Sequence, residues 1–330
     1  MESDTLDDLD RQVLHALLLD ARAPFARIGA VLGVSDRTVA RRYAKLRAAA
    51  GLRLTALTEP RHVGEVRWFL RVTCAPGHAA QLANALAARA DTSWVNLLAG
   101  GTEIAFATRA PTLGADRALE AALTRSPNVI AVSAQLFLHR FFGGPRNVIG
   151  KYGALSADQI AALSADALEP DEPDRRIELS EVDRQLLEAL AVDGRRPIED
   201  VASATGLPAG TARRRLAALR AEGTLYFDVT VAPHVLAAPL RTVVWISVAP
   251  GDLEAAGEAL AGHLPVAYAA ATTGATNLYA SLLTRDEDEL YRYLSTTLGS
   301  LGTIRQVESA PVTRTVKAES GIAMRTWARR

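Results

Sequence analysis

The chain contains itself twice. The segment Asp10-Arg-Gln-Val-Leu-His-Ala-Leu returns 173 residues later as Asp183-Arg-Gln-Leu-Leu-Glu-Ala-Leu. The register then runs without a gap. Asp20 meets Asp193, Arg22 meets Arg195, Pro24 meets Pro197 and Gly33 meets Gly206. Thr38, Arg41, Arg42, Leu46 and Arg47 meet Thr211, Arg214, Arg215, Leu219 and Arg220, giving 16 identities over the 38 positions from Asp10 to Arg47. Shared alanine bias explains only a few of them. Past Arg47 the first copy has one extra alanine and similarity fades, yet Val72-Thr-Cys-Ala-Pro-Gly still resembles Val248-Ala-Pro-Gly, and Gly100-Gly-Thr-Glu-Ile resembles Gly274-Ala-Thr-Asn-Leu. Whatever fold the module has, the chain holds it twice, at about 140 to 150 residues per copy.

Within each copy, the first part reads as three helices. Leu9, Val13, Leu14 and Leu17 recur at helical spacing. Pro24 suits the first turn of a second helix over 25–32, with Ile28, Val31 and Leu32 inward. Gly33 follows, then Ser35 and Asp36 as caps for a third helix. Helix, glycine turn, cap, helix is the helix-turn-helix layout. On the third helix Val39, Tyr43 and Leu46 share one face, while Arg37, Arg41 and Lys45 lie opposite with Thr38 close by. An apolar stripe backed by a basic stripe suits a recognition helix, which docks on its neighbours and meets phosphates and base edges. In the second copy Ala212, Leu216 and Leu219 lie inward, and Thr211 and Arg214 outward, flanked by Arg213 and Arg215. That copy is weaker, with Pro208 for the serine cap, and Gly210 and Ala218 in place of Arg37 and Lys45.

The basic residues need this placement argument. Only Lys45, Lys151 and Lys317 are lysines among 37 basic residues, so arginine as a type carries little information. The 37 acidic residues balance them, so any DNA-binding surface is local. Cys74 is the one cysteine, which excludes an internal disulfide and cysteine-based zinc sites. The histidines form no spaced pair for a metal, and neither a cofactor nor a metal is expected. No phosphate-binding glycine loop, serine elbow or catalytic carboxylate pair is present. No window has the apolar length of a membrane span, and the start is acidic rather than signal-like. A cytoplasmic protein is expected.

The later part of each copy alternates strands and helices in the order βαββαβ: strands near 68–74, 93–98, 104–108 and 129–139 in the first copy, and near 243–248, 266–273, 278–283 and 304–316 in the second. That order predicts a ferredoxin-like sandwich, an antiparallel sheet with both helices on one face. The fold class is therefore α+β, two copies of a helix-turn-helix followed by this sandwich. The other sheet face needs cover, and a second copy is the natural cover. The expected division is 1–60, a helix-turn-helix domain; 66–140, a sandwich; 141–178, a linker; 179–236 and 241–317, the second pair; and 318–330, a tail. The linker carries a capping box at Ser156 and Gln159, a short helix to Leu168, and then an acidic, proline-containing stretch from Glu169 to Asp174.

A winged-type helix-turn-helix followed by βαββαβ resembles the Lrp/AsnC family of feast/famine regulators. The residues that carry the likeness are Leu6-Asp-Asp-Leu-Asp10, Arg22-x-Pro24, Gly33-Val-Ser35, Arg41-Arg42 with Leu46, and the glycine loops at Gly100 and Gly274. The resemblance implies a sequence-specific DNA-binding transcription regulator, dimeric or higher, whose sandwiches pair sheet to sheet. Double-stranded DNA is then the partner. The implied DNA-contacting set is Ser35, Arg37, Thr38, Arg41, Arg42 and Lys45, with Thr211, Arg213, Arg214 and Arg215. The resemblance also implies an amino-acid or other small-molecule effector near the loop between the second and third sandwich strands. These loops are Gly100, Gly101, Thr102 and Glu103, and Gly274, Ala275, Thr276 and Asn277. The family pattern Gly-Asp-x-Asp is absent from both. Glu103 is the candidate partner for a ligand ammonium. Self-association is expected as an internal pseudo-dimer or a cross-chain pairing, with two chains and four modules as the particle.

Two rival readings stay open. The same architecture serves sirohaem decarboxylases, some of them fused pairs, and His62 and His234 occupy equivalent places before each sandwich. They read as loop histidines or as porphyrin-carboxylate contacts. The third reading is a small-molecule sensor without DNA binding.

Overall fold

The computed structural model describes residues 6–110, 117–164 and 177–318. In chain order the elements are α1 (Asp8–Leu19), α2 (Phe25–Leu32), α3 (Asp36–Ala49), β1 (Arg53–Thr58), β2 (Val66–Cys74), α4 (Ala79–Ala87), β3 (Thr92–Leu98), β4 (Glu103–Ala110), α5 (Arg117–Arg125), β5 (Val129–Phe142), α6 (Val148–Lys151) and α7 (Ala157–Ser164). Then come α8 (Glu181–Ala191), α9 (Ile198–Thr205), α10 (Ala209–Ala221), β6 (Leu225–Thr230), β7 (Leu240–Val248), α11 (Leu253–Gly262), β8 (Val266–Thr272), β9 (Leu278–Thr284), α12 (Glu287–Arg292) and β10 (Ile304–Lys317). Two compact units result, and the chain passes between them three times. The first takes the segment up to Val63 and Gly144–Ala237; the second takes Gly64–Gly143 and the segment from Ala238 onward. Each unit thus gathers like with like: both helix-turn-helix copies in one, both βαββαβ copies in the other.

In the first unit the expected helices form for the expected reasons. Asp7 caps α1 and shares a capping box with Asp10. Ser35 accepts from the Thr38 amide at 3.1 Å to cap α3. Gly33, at φ +70°, ends α2 in the left-handed region that glycine adopts without strain. Val13, Leu14, Leu17, Ile28, Val39 and Leu46 are all buried in one core. The linker helix α7 belongs to that core. Leu163 is buried there, and Arg27 donates to the carbonyls of Ala162 and Leu163, the last orphan acceptors of α7. The acidic stretch 169–174 lies outside the described residues.

No wing hairpin follows α3 or α10 among the described residues. Each copy supplies one strand instead, and β1 pairs β6 antiparallel from Arg53–Thr230 to Thr58–Leu225. The bends before the second helices lock the same pair. Arg22 donates to the carbonyls of Gly194 at 2.6 Å and Arg196 at 3.0 Å, and its equivalent Arg195 donates to Ala21 at 2.7 Å and Ala23 at 3.0 Å. Arg47 pairs with Asp193 at 3.3 Å and the equivalent Arg220 with Asp20 at 3.2 Å. Each of these contacts has its mirror, which is the mark of an isologous interface, here made inside one chain.

In the second unit the βαββαβ order is observed twice, but the expected face-to-face sandwich is not. The first copy arranges its strands β5-β2-β4-β3 and the second β10-β7-β9-β8; β5 then pairs β8 and β10 pairs β3, closing an eight-stranded barrel. Pairing edge to edge satisfies the backbone groups that two separate sheets would leave open. Phe69, Leu98, Ala105, Val243, Trp245, Tyr279 and Ala310 form the core shared by the two copies. A separate core lies under α4 and α5, built on Leu70, Val72, Ile104, Phe106, Leu119 and Leu123. Arg71 and its equivalent Trp245 meet, the guanidinium 4.3 Å from the indole centroid. No helix among the described residues is long and apolar enough to cross a membrane.

The arginine clasp should set the local stability of the β1–β6 ribbon. Arg195→Met leaves the Ala21 and Ala23 carbonyls without their charged donor, at a cost of roughly 2–3 kcal/mol. Amide hydrogen exchange over β1 and β6 should accelerate accordingly, while β2 and β7 exchange as before. Unchanged protection in the ribbon would show that the clasp contributes nothing to pairing.

Candidate functional site

The outer face of α3 divides into free and committed cations. Arg37 and Arg41 are exposed, and neither guanidinium has a partner among the described residues. Arg42 and Lys45 do have partners. Arg42 binds Asp7 and, at 3.1 Å, Asp10; Lys45 binds Asp10 at 2.6 Å. The Asp10 side chain is fully buried at the start of α1. The two cations therefore tie the recognition helix to α1. Arg215 is tied likewise: it grips the buried Asp183 carboxylate through Nε at 2.6 Å and Nη2 at 2.9 Å. A buried carboxylate facing a planar fork is among the stronger pairings available, and removing one partner orphans a charge. That guanidinium, with help from Ser180, holds the Asp183 carboxyl below its usual range.

The remaining candidates also separate. Ser35 caps the helix and its hydroxyl bonds that of Thr38 at 2.9 Å, leaving the N-terminal end of α3 compact and accessible. In the second copy Arg214 is exposed and has no ion pair among the described residues, while Arg213 sits 3.6 Å from Glu199. Glu199 and Asp200 occupy the first turn of α9, where the first copy has Ala26 and Arg27. Thr211 lies one turn inside α10, behind an uncapped Pro208. The first copy thus offers two exposed arginines beside the single carboxylate of Asp36, and the second a more mixed face.

The two glycine loops diverge just as sharply. Gly100 and Gly101 both have positive φ, +82° and +65°, and are exposed. The Gly274 loop is plugged. Gln135 of β5 reaches in and donates to the Thr276 carbonyl at 2.8 Å and its hydroxyl at 3.0 Å, and a Cβ on Gly274 would lie 2.9 Å from the same amide. Asn277 is spent on Val248, accepting from its N–H at 3.0 Å and donating to its carbonyl at 3.1 Å. Ala275 is exposed at the tip. By the pairing register, Phe137 meets Thr272 as Val312 meets Leu98, so the position equivalent to Gln135 is Ala310, which has nothing to insert. Thr102 gives its carbonyl to the Cys74 amide. Glu103, expected to meet a ligand ammonium, instead receives Arg71 at 3.0 Å, and the same guanidinium bonds Glu308 at 2.6 Å.

Three features escaped the sequence reading: the Gln135 plug, the Arg71 bridge between two carboxylates, and a gathering of His139 with Glu254 and Glu258. His62 is buried with Nδ1 unbonded, and its carbonyl accepts from Ile177. The side chain of His234 lies outside the described residues.

With this geometry in place, comparison with known proteins is decisive. The AsnC-type helix-turn-helix domain matches residues 6–47 and again 179–220, and the Lrp/AsnC ligand-binding domain matches residues 241–322. The chain belongs to the Lrp/AsnC family of transcriptional regulators. Among its Lrp/AsnC relatives is the HTH-type transcriptional regulator FL11 of Pyrococcus abyssi, 26% identical over 143 residues, 43% of this chain and 94% of that regulator. FL11 of Pyrococcus horikoshii is 24% identical over the same shares. Nearly a whole relative therefore corresponds to less than half of this chain. The sirohaem decarboxylase NirDL matches in fold along almost the full length, with a TM-score of 0.64 and 14% identity over 94% of this chain and 92% of that one. Its complex with an iron-uroporphyrin III analogue matches equally, with a TM-score of 0.64. At that identity the likeness is one of fold.

The Asp183–Arg215 pair makes a pH prediction. Because the folded carboxyl titrates below its ordinary value of 3.8, its stabilisation is complete above that value and fades as pH falls through the lower folded one. Arg215→Met should cost about 2–4 kcal/mol at neutral pH, less than a fully buried pair because the arginine is one-third exposed. Acid titration of α8 and α10, read by exchange or proteolysis, should begin at higher pH in that variant. Identical acid profiles would remove the pair from the stability account.

Proposed function

We propose that this regulator engages operator DNA chiefly through α3 of its first copy. Arg37 and Arg41 meet base edges and phosphates in the major groove, with Ser35 and Thr38 at the helix start. The second copy adds weaker contacts through Thr211, Arg213 and Arg214. The observation that carries this reading is the pair of exposed, unpartnered guanidinia on α3, set against Glu199 and Asp200 at the second copy's face. Arg41→Ala should weaken specific binding by about 1–3 kcal/mol, the usual worth of a lost base contact. Arg214→Ala should do less. Gel-shift titration on selected DNA fragments measures both, and an unchanged isotherm for a folded Arg41→Ala protein would take α3 out of the interface.

We further infer that effector sensing resides at the Gly100 loop alone. The exposed Gly100 and Gly101 allow a carboxylate to approach the backbone N–H groups, the arrangement an α-amino acid would use. Its ammonium would turn to the Glu103–Arg71–Glu308 network, where two carboxylates face one guanidinium. Calorimetry with the twenty amino acids should find one site per chain. Ala310→Gln should abolish it by reproducing the plug that Gln135 makes. Heat that survives this change, or no heat with any amino acid, would leave the loop a mere turn.

The four-module particle remains the proposed assembly on DNA, built through exposed apolar residues such as Ile130 on β5 and Val307 on β10. A second reading, chemistry on a porphyrin carboxylate, is favoured by the full-length fold likeness to NirDL and by the buried, unbonded Nδ1 of His62. Iron-uroporphyrin added to the protein separates the two. A shifted and saturable visible band supports the porphyrin reading, and an unperturbed spectrum supports the regulator alone.

A further inference from the structure

The barrel closes through two equivalent seams, and the two copies have furnished them differently. At the seam of β10 with β3, Arg314 donates to Asn84 of α4 at 3.5 Å. The other seam, β5 with β8, carries His139 of β5 together with Glu254 and Glu258 of α11. The positions correspond. β5 and β10 align end to end over 14 residues, placing His139 against Arg314. Pro76-Gly77 aligns with Pro250-Gly251, placing Ala80 and Asn84 against Glu254 and Glu258. Where one seam has an arginine bonded to an amide, and an alanine at the third position, the other has one imidazole and two carboxylates.

We propose that His139, Glu254 and Glu258 form a binding site for one divalent transition-metal cation of the zinc type. Each residue offers one ligand atom, and these atoms all lie within 4.8 Å of one another. Glu254 and Glu258 are four apart on α11, so both carboxylates rise from the same helix face. Two local features bring the strand and helix together. A register shift between Phe137 and His139 breaks the alternation of β5, so that His139 turns away from the side Phe137 faces and toward the helix. Gly257, just before Glu258, lies so close to Phe141 that a Cβ there would fall 2.1 Å from the ring; only glycine permits the approach. The phenyl ring in turn packs edge-on against the His139 imidazole at 4.7 Å, fixing its plane.

The donor set selects the ion. Imidazole nitrogen with two carboxylate oxygens suits zinc and its first-row neighbours, whereas calcium and magnesium take oxygen alone. Glu254 and Glu258 are exposed, so the fourth position faces water and the ion enters from solvent. Since the histidine comes from the first copy and the glutamates from the second, a bound ion would staple the seam that Arg314 and Asn84 close directly on the other side.

The test uses the full chain, stripped with chelator and titrated with Zn2+ by calorimetry and with Co2+ by visible absorption. One equivalent should bind, with d–d bands of low-coordinate cobalt and a raised thermal midpoint for the second unit. Glu254→Gln with Glu258→Gln should lower affinity by more than the ~10–100-fold that outer-sphere changes cost. His139→Arg with Glu258→Asn copies the opposite seam and should keep the fold while removing the cobalt bands. No uptake by the wild-type chain overturns the proposal, and so does uptake that these variants leave unchanged.

Discussion

A four-stranded sheet with βαββαβ connectivity leaves an edge strand on each side, and each edge presents a row of N–H and C=O groups that water or another strand must satisfy. In this chain the edges of the two copies satisfy each other. β5 takes β8, β10 takes β3, and no edge of the eight-stranded barrel stays open over those pairings. The same economy operates in the first unit, where β1 and β6 make a ribbon and Arg22 and Arg195 exchange hydrogen bonds with the opposite bend. Each copy of either domain thus has strand edges that a second copy covers, and here that second copy lies in the same chain.

Pairing inside one chain removes a constraint that a homodimer cannot escape. Two identical subunits must present the same residues on both sides of the axis. Here each side is free to change, and several equivalent positions have done so. Arg37 corresponds to Gly210, Arg27 to Asp200, Ala310 to Gln135, Glu103 to Asn277 and Arg314 to His139. The interface arginines and aspartates, by contrast, are retained on both sides. Contacts that build the pseudo-dimer are kept, whereas several positions on the proposed DNA-binding and effector faces diverge.

How much of this was legible in the sequence depended on the range of the interaction. The three-helix cores were readable because caps and apolar spacing act within a few residues: Ser35 to Thr38, Gly33 after Leu32, Val39 to Leu46. The βαββαβ order was readable for the same reason. Barrel closure was not, because edge pairing carries no local signature. The ion pairs of Arg42, Lys45 and Arg215 were not readable either, because their carboxylates, Asp10 and Asp183, stand more than 30 residues upstream. The metal-type cluster was hidden for a different reason. Strict alternation would have turned His139 to the side Phe137 faces, and the bulge that reverses it has no residue signature in β5.

The central claim is that one chain holds a symmetric scaffold with asymmetric working faces. Hydroxyl-radical footprinting of the full chain on its selected DNA tests this most directly. Two equal helix-turn-helix faces would protect two half-sites with equal strength, about 10 base pairs or a multiple apart. The account predicts one strongly protected major-groove half-site that fades on Arg41→Ala, flanked by weaker protection that Arg214→Ala removes. Two half-sites of equal strength, weakened equally by the two substitutions, would contradict it.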